Sequence, residues 1–401
     1  MSTTIDPQRQ NGDIATVLDE KLRLNDTTAP IASSSATSTA SGFVTPAEQS
    51  SQIPSHIPST EPMAVPTLPP TPAGLLRTPI PHPLPTCKPD PPAGHPPLSA
   101  EQSQKYADVL AAVQAWTTVP TTSGRSPKHE PLLDDERLWL TKECLLRYLR
   151  ATKWVVPTAI QRLQQTLTWR REYGLYASLP NHTQAPEYIS VENETGKQVV
   201  LGFDNDARPC LYLNPGKQNT AKSDRQLQHL VFMLERVVDL MPPGQETMAL
   251  LINFKESSSG SNPSVGQGKA TLAILQGHYP ERLGRALISD LPWYVTTFFK
   301  LISPSSTPSR NQNEIQRALD RHVPSSQLWS HYGGKADFEY DHALYWPALV
   351  KMCEERRAAQ RARWESRGKV VGESEFYLRG GEEGRAWSMC RVGGKGRKWE
   401  V

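Results

Sequence analysis

The run "MALLINF", Met248 to Phe254, carries one polar side chain in seven residues. A strand with one face in water alternates apolar and polar positions, so a continuous apolar run needs cover on both faces. Its neighbours supply that cover. Upstream, Leu227, Leu230, Val231, Leu234, Val237, Val238 and Met241 recur at steps of 3, 1, 3, 3, 1 and 3, which predicts a helix from about Ser223 to Met241 ended by "PPG". Before it, "KQVVLGF" and "PCLYLNP" flank the turn "DNDAR" and read as a hairpin. After the run come a Ser/Gly loop "KESSSGSNPSVGQGK", a helix "ATLAILQGH", a strand "RALISDL" and a helix from Pro292. Strand, helix, strand, helix in this order predicts an α/β fold with a mixed β-sheet and right-handed crossovers.

Helical periodicity dominates ahead of the hairpin. "PLLDDERLWLTKECLLRYLRA" reads as one helix, with acidic residues in its first turn and Leu138, Leu145, Leu146 and Leu149 along one stripe. A second helix is expected from about Thr158 to Tyr173. These predict a small all-helical N-terminal subdomain over 101–176, then a sheet domain over 185–340. A C-terminal helix over 341–370 follows, apolar in its first half and extending into solvent in its charged second half, and then a flexible basic tail over 371–401. About half of the 36 prolines fall in the first hundred residues, among Ser, Thr and Ala. Such a segment buries too little apolar area to offset its ordering entropy, so 1–100 is expected to be a disordered Pro/Ser/Thr-rich tail. The PxxP spacing from Pro66 to Pro69 suits an SH3 or WW partner, although proline-rich tails contain that spacing by chance.

Charge and motifs exclude several function classes. A net charge of +3 gives no broad field for nucleic acid. Cys87, Cys144, Cys210, Cys353 and Cys390 are scattered, without the spacing of a zinc site or a disulfide scaffold, and fit a reducing compartment. The N-terminus lacks a signal-peptide pattern and no apolar run reaches the ~20 residues of a membrane span, so a cytoplasmic protein is expected. No GxSxG, HExxH, EF-hand or GxGxxG pattern occurs, and the reading is a non-enzyme without metal or cofactor. One near-miss is "GSNPSVGQGKAT", which follows a strand and precedes a helix as a phosphate-cradling loop does. Gly268-Lys269 is followed by Ala270 where a magnesium-binding hydroxyl is required, and Pro263 stands where the first glycine belongs.

The helix from Pro292 to about Ser303 carries Trp293, Tyr294, Val295, Phe298, Phe299, Leu301 and Ile302. A helix apolar around most of its circumference is buried on two sides or faces something other than water. Taken alone it reads as a central core helix. Pro292 at its start and Pro304 beyond its end also mark a separate unit that can act as a lid. Directly before it stands "HYPERLGRALISDLPW".

That stretch resembles the CRAL-TRIO domain of soluble lipid-transfer proteins, most closely the fungal phosphatidylinositol-transfer type. "CLLRYLRATKWVVPTAIQRLQQTLTWRREYGL" is similar to the family's N-terminal helical domain. "RPCLYLNPGKQN", "LLINFK" and "HYGGKADFEYDHALYWP" follow in the family's order, over about residues 131–367. The resemblance implies an apolar cavity walled by sheet and helices and closed by a gate helix whose Trp293, Tyr294, Phe298, Phe299 and Ile302 face the lipid. It also implies that Glu281 accepts hydrogen bonds from inositol hydroxyls and that Lys153 balances the phosphate. After "KLISP" the family continues with Phe-x-Asp-Pro, a Thr and a Lys, whereas this chain has Arg310 and Asn313 at the Thr and Lys positions. One wall of the headgroup site and an adjoining strand are therefore expected to be altered, with Arg310 or Arg317 as an electrostatic substitute.

The functional expectation is a phosphatidylinositol-binding and transfer protein, peripheral on internal membranes, with a phospholipid as its ligand and no nucleic acid. The alternatives are an NTPase using Gly268-Lys269 and a non-transferring adaptor that recruits a partner through the proline-rich tail.

Overall fold

In the computed structural model of the chain, the described residues are 74–89, 97–255, 257, 265–289, 307–308 and 312–381. The N-terminal part begins with α1 (Ala100–Gln114), whose first turn is closed by a Ser99–Gln102 capping box. A two-stranded ribbon follows, β1 (Thr118–Pro120) against β2 (His129–Pro131), so this subdomain is not all-helical. The single helix expected over 131–151 is two, α2 (Asp134–Trp139) and α3 (Lys142–Ala151). Thr141 makes the break: its hydroxyl accepts the Cys144 N–H at 3.1 Å, starting α3 afresh. α4 (Val156–Glu172) completes the unit, and its Leu163 and Leu167 pack with Leu145 and Leu149 of α3 in a separate apolar cluster.

After the short α5 (Pro186–Ser190) comes the sheet, in the order β3 (Gln198–Phe203), β4 (Pro209–Leu213), β5 (Met248–Asn253), β6 (Leu283–Ser289), β7 (Thr307–Pro308). The first pair is the antiparallel hairpin and the rest are parallel, with Leu211 opposite Leu250 and Leu250 opposite Ala286. α6 (Asp224–Leu240) links β4 to β5 and α7 (Val265–His278) links β5 to β6. The strand expected to be altered after "KLISP" persists as the two residues of β7. β5 is central and buried from Met248 to Ile252, as its unbroken apolar run requires. On the face away from α7, Tyr212 meets Trp329 and Tyr332 edge-on. The outer edge of β3 is sealed where the Tyr345 hydroxyl both accepts the Val200 N–H (2.7 Å) and donates to the Val200 carbonyl (3.0 Å).

α8 (Gln312–His322) packs beside β6, and α9 (His342–Ser366) lies along α6, with Trp346 stacked on Phe232. The charged half of α9 does not simply project into water: Trp364 is fully buried and donates to the Val370 carbonyl at 2.8 Å. Nor is the folded body confined to 101–370. Residues 74–89, assigned by composition to the tail, lie against it: Leu76 bridges Phe338, and Ile80 and Cys87 are buried. A proline-rich segment cannot build a core of its own, but it can be held by one already formed. At the other end, 371–381 fold back through the helical turn α10 (Glu375–Leu378). Residues 1–73 and 382–401 lie outside the described residues.

Candidate functional site

Strand alternation puts Leu211 and Leu213 of β4 and Met248, Leu250 and Ile252 of β5 on one face of the sheet. Leu230 and Leu234 of α6, one turn apart, and Thr271 and Leu275 of α7 stand opposite. Between them is a cavity of about 240 Å³, ended by Tyr279, Pro280, Glu281, Arg282 and Leu283. That volume is below the roughly 300–1,000 Å³ typical of small-ligand sites. The residues expected to form the gate, Trp293, Tyr294, Phe298, Phe299 and Ile302, and the expected headgroup residue Arg310, lie outside the described residues.

This end of the cavity is held by ion pairs. Tyr279 donates its hydroxyl to Glu235 at 2.6 Å, and Arg170 of α4 grips the same carboxylate through two nitrogens at 2.9 and 3.1 Å. Burial pushes the Glu235 carboxyl up, but Arg170 and the Tyr279 hydroxyl outweigh it and hold it at about 2. His278 stacks flat on Trp169, with ring centroids 4.1 Å apart, and its Nδ1 is 3.0 Å from the Thr166 hydroxyl. Burial, then Arg162 and Arg170, lower it to about 4, so it is neutral at physiological pH.

Glu281 follows in a left-handed backbone conformation (φ 57°) and keeps an exposed carboxylate at the cavity's end. Arg150, in the last turn of α3, donates from Nε to Glu281 Oε2 at 2.5 Å. Lys153 stands exposed three residues later, in the turn that ends α3. Arg150 also reaches Glu246 through Nη2 (3.3 Å), Arg147 meets the same Glu246 oxygen at 2.7 Å, and the other arm of Arg147 meets Glu375 of α10 at 2.5 Å. Partly buried Arg282 adds a contact to Glu375 at 3.6 Å and donates to the Glu246 carbonyl at 2.9 Å. A chain of alternating charges thus runs from Glu281 back to the C-terminal turn.

Arg147, Arg150, Glu246 and Glu375 were not among the sequence-derived candidates. The three-residue spacing of Arg147 and Arg150 puts them on one face of α3 and was a usable signal. Nothing local marks Glu375, whose partner lies 228 positions away. Gly268 and Lys269 stand inside α7, so Lys269 is not presented by a loop at a helix start as phosphate cradling requires.

Comparisons with known proteins match this architecture. The CRAL/TRIO domain model matches residues 193–334, and the CRAL/TRIO N-terminal domain model matches 105–165. A CRAL-TRIO domain-containing protein of Schizosaccharomyces pombe is 51% identical over 313 residues, 78% of this chain and 30% of that protein. The phosphatidylinositol transfer protein PDR17 of Saccharomyces cerevisiae is 37% identical over 297 residues, covering 71% of this chain and 85% of its own length. The SEC14 cytosolic factor of Candida glabrata is 27% identical over 222 residues, 50% of this chain and 72% of its own. Two domain models in the order the fold requires, with a relative this similar over most of its length, place the chain in the CRAL/TRIO family.

Proposed function

We propose that the protein binds a phospholipid, phosphatidylinositol, and carries it between membranes. The observation that supports this most is the apolar cavity between the sheet and α6/α7, ended by a charged lip at Glu281. Apolar walls suit acyl chains, whose burial contributes about 0.8 kcal/mol per methylene. The carboxylate suits sugar hydroxyls, and the nearby cations suit a phosphate. Lys153, exposed in the turn after α3, supplies a positive charge toward that phosphate. Among the described residues no helix is long and apolar enough to cross a membrane, and the protein works from the aqueous side as a transient peripheral visitor in the cytoplasm.

The reading is tested by incubating the purified chain with mixed liposomes and identifying co-purified lipid by mass spectrometry. Phosphatidylinositol is expected; recovery of no phospholipid removes the reading. Glu281→Ala and Lys153→Ala are each expected to lower phosphatidylinositol transfer by about tenfold, the equivalent of one charge-assisted hydrogen bond. The melting temperature should change little. A parallel loss of transfer and stability would assign both residues to the scaffold instead.

A further inference from the structure

Resting on that reading, we infer that Arg150 is a specificity-determining residue of the lip, a second cation that contacts the headgroup phosphate and selects anionic over zwitterionic lipids. A guanidinium carries five N–H groups in a rigid fork. One, on Nε, is spent on Glu281 and one, on Nη2, on Glu246. The remaining three, including both on Nη1, have no partner among the described residues. Among the described residues Glu281 in turn is engaged only through Oε2, which leaves Oε1 to accept from a ligand hydroxyl. The pair therefore offers a donor fork and an acceptor oxygen side by side, the complement of a phosphodiester next to a hydroxyl.

The fork is also held in place. Glu246 takes Arg147 and Arg150 on the same oxygen, and Arg147 is fixed from behind by Glu375, with side-chain exposures of 3% for Arg147 and 10% for Glu375. Arg150 is 16% exposed and Glu281 35%, so the anchored end of the chain is dry and the ligand-facing end is open. A lysine in the turn has neither the fork nor the anchor; its charge attracts phosphate without orienting it.

Charge balance turns this into selectivity. With Arg150 present, Glu281 is neutralised and an anionic headgroup is accepted. Without it, an uncompensated carboxylate faces the ligand, repelling phosphatidylinositol and attracting the quaternary ammonium of phosphatidylcholine.

The test uses the full chain and vesicles containing phosphatidylcholine and phosphatidylinositol, reading the ratio of the two lipids taken up. Arg150→Gln is expected to lower the phosphatidylinositol-to-phosphatidylcholine ratio at least tenfold with Lys153 intact. Arg150→Lys keeps the charge but not the fork, and should lower it several-fold. Adding Glu281→Gln to Arg150→Gln removes the unbalanced carboxylate and should recover part of the ratio, which a purely structural role for Arg150 would not produce. If the wild-type chain takes up phosphatidylinositol but both Arg150 variants keep its ratio within twofold, the inference falls and the transfer reading stands. If the wild-type chain takes up no phospholipid, the transfer reading falls first. Should Arg150→Gln fail to fold, Arg150→Lys decides alone by the same ratio.

Discussion

Glu143 and Glu375 are two buried carboxylates at one junction, and their surroundings push them in opposite directions. Glu375 lies well below the usual carboxylate range: burial alone would raise it, but Arg147, Arg282 and Arg379 prevail. Glu143 accepts the Glu375 N–H at 2.6 Å and the Ser374 hydroxyl at 3.2 Å. Burial, then the Glu375 charge, push it up to about 7. The folded chain therefore keeps a proton on Glu143 that the unfolded chain has released. The stability this contributes is full below about 4.5, the ordinary glutamate value, and lost as pH rises through about 7. Fully buried His229 works the other way: burial and then Lys197 hold it well below 6.5, so its contribution is lost as pH falls. The two must be separated by difference. Glu143→Gln fixes the protonated form, and the variant should gain stability over wild type as pH rises from 5 to 8, by on the order of 3 kcal/mol. Urea midpoints at each pH check this; a flat difference would show that Glu143 does not titrate in that window.

At the level of elements, β3 depends on one backbone conformation. Its register against β4 shifts between Val200 and Phe203, and Gly202 inside the shift has φ +67°. A Cβ there would lie 2.2 Å from the Gln327 carbonyl oxygen, while the Gln327 side chain accepts the Phe203 N–H at 3.1 Å. Gly202→Ala should cost about 1–2 kcal/mol for the left-handed backbone and a further ~1–3 kcal/mol for the overlap. A lowered urea midpoint with unchanged slope is expected; an unchanged midpoint would mean the bulge can relax. The hairpin, β5, α6 and α9 were legible in the sequence because each is set by a local pattern of apolar and polar residues. The split of α2 from α3 was not, because the leucine stripe runs through it. What fixes α2 is Glu136, fully buried and clamped by Arg171 at 2.6 and 2.7 Å, 35 residues away. What starts α3 is Thr141, whose hydroxyl also donates to Glu375, 234 residues away. The same holds for the charge chain. The spacing of Arg147 and Arg150 marks one face of α3, but their pairing with Glu281 and Glu375 was not legible, because only the fold brings α3 to the turn before β6 and to the C-terminal return.

For the whole molecule, the C-terminal return ties the two parts together from outside both matched domain regions. Lys369 pairs with Asp134 of α2 at 2.6 Å, the Gly372 N–H is donated to the Leu140 carbonyl, and the Glu373 carbonyl accepts the Lys142 N–H. Arg379 donates to the Val238 and Met241 carbonyls at 2.7 and 2.8 Å, at the end of α6. Between these contacts sits Glu375, facing Arg147, Arg282 and Arg379. Ending the chain after Ser366 removes that carboxylate and leaves Arg147 and Arg282 crowded in a dry site. Breaking a buried pair in this way costs about 3–5 kcal/mol, a large share of the ~5–15 kcal/mol that holds a typical domain. The melting temperature should fall by on the order of 10 °C, and limited proteolysis should cut first around α2 and α3. A chain ended after Gly381 keeps the whole return and should melt with the full-length protein. If the shorter chain melts there too, the return is an ornament on an N-terminal unit that already holds itself against the sheet, and the charge chain from Glu375 to Glu281 does not position the lip.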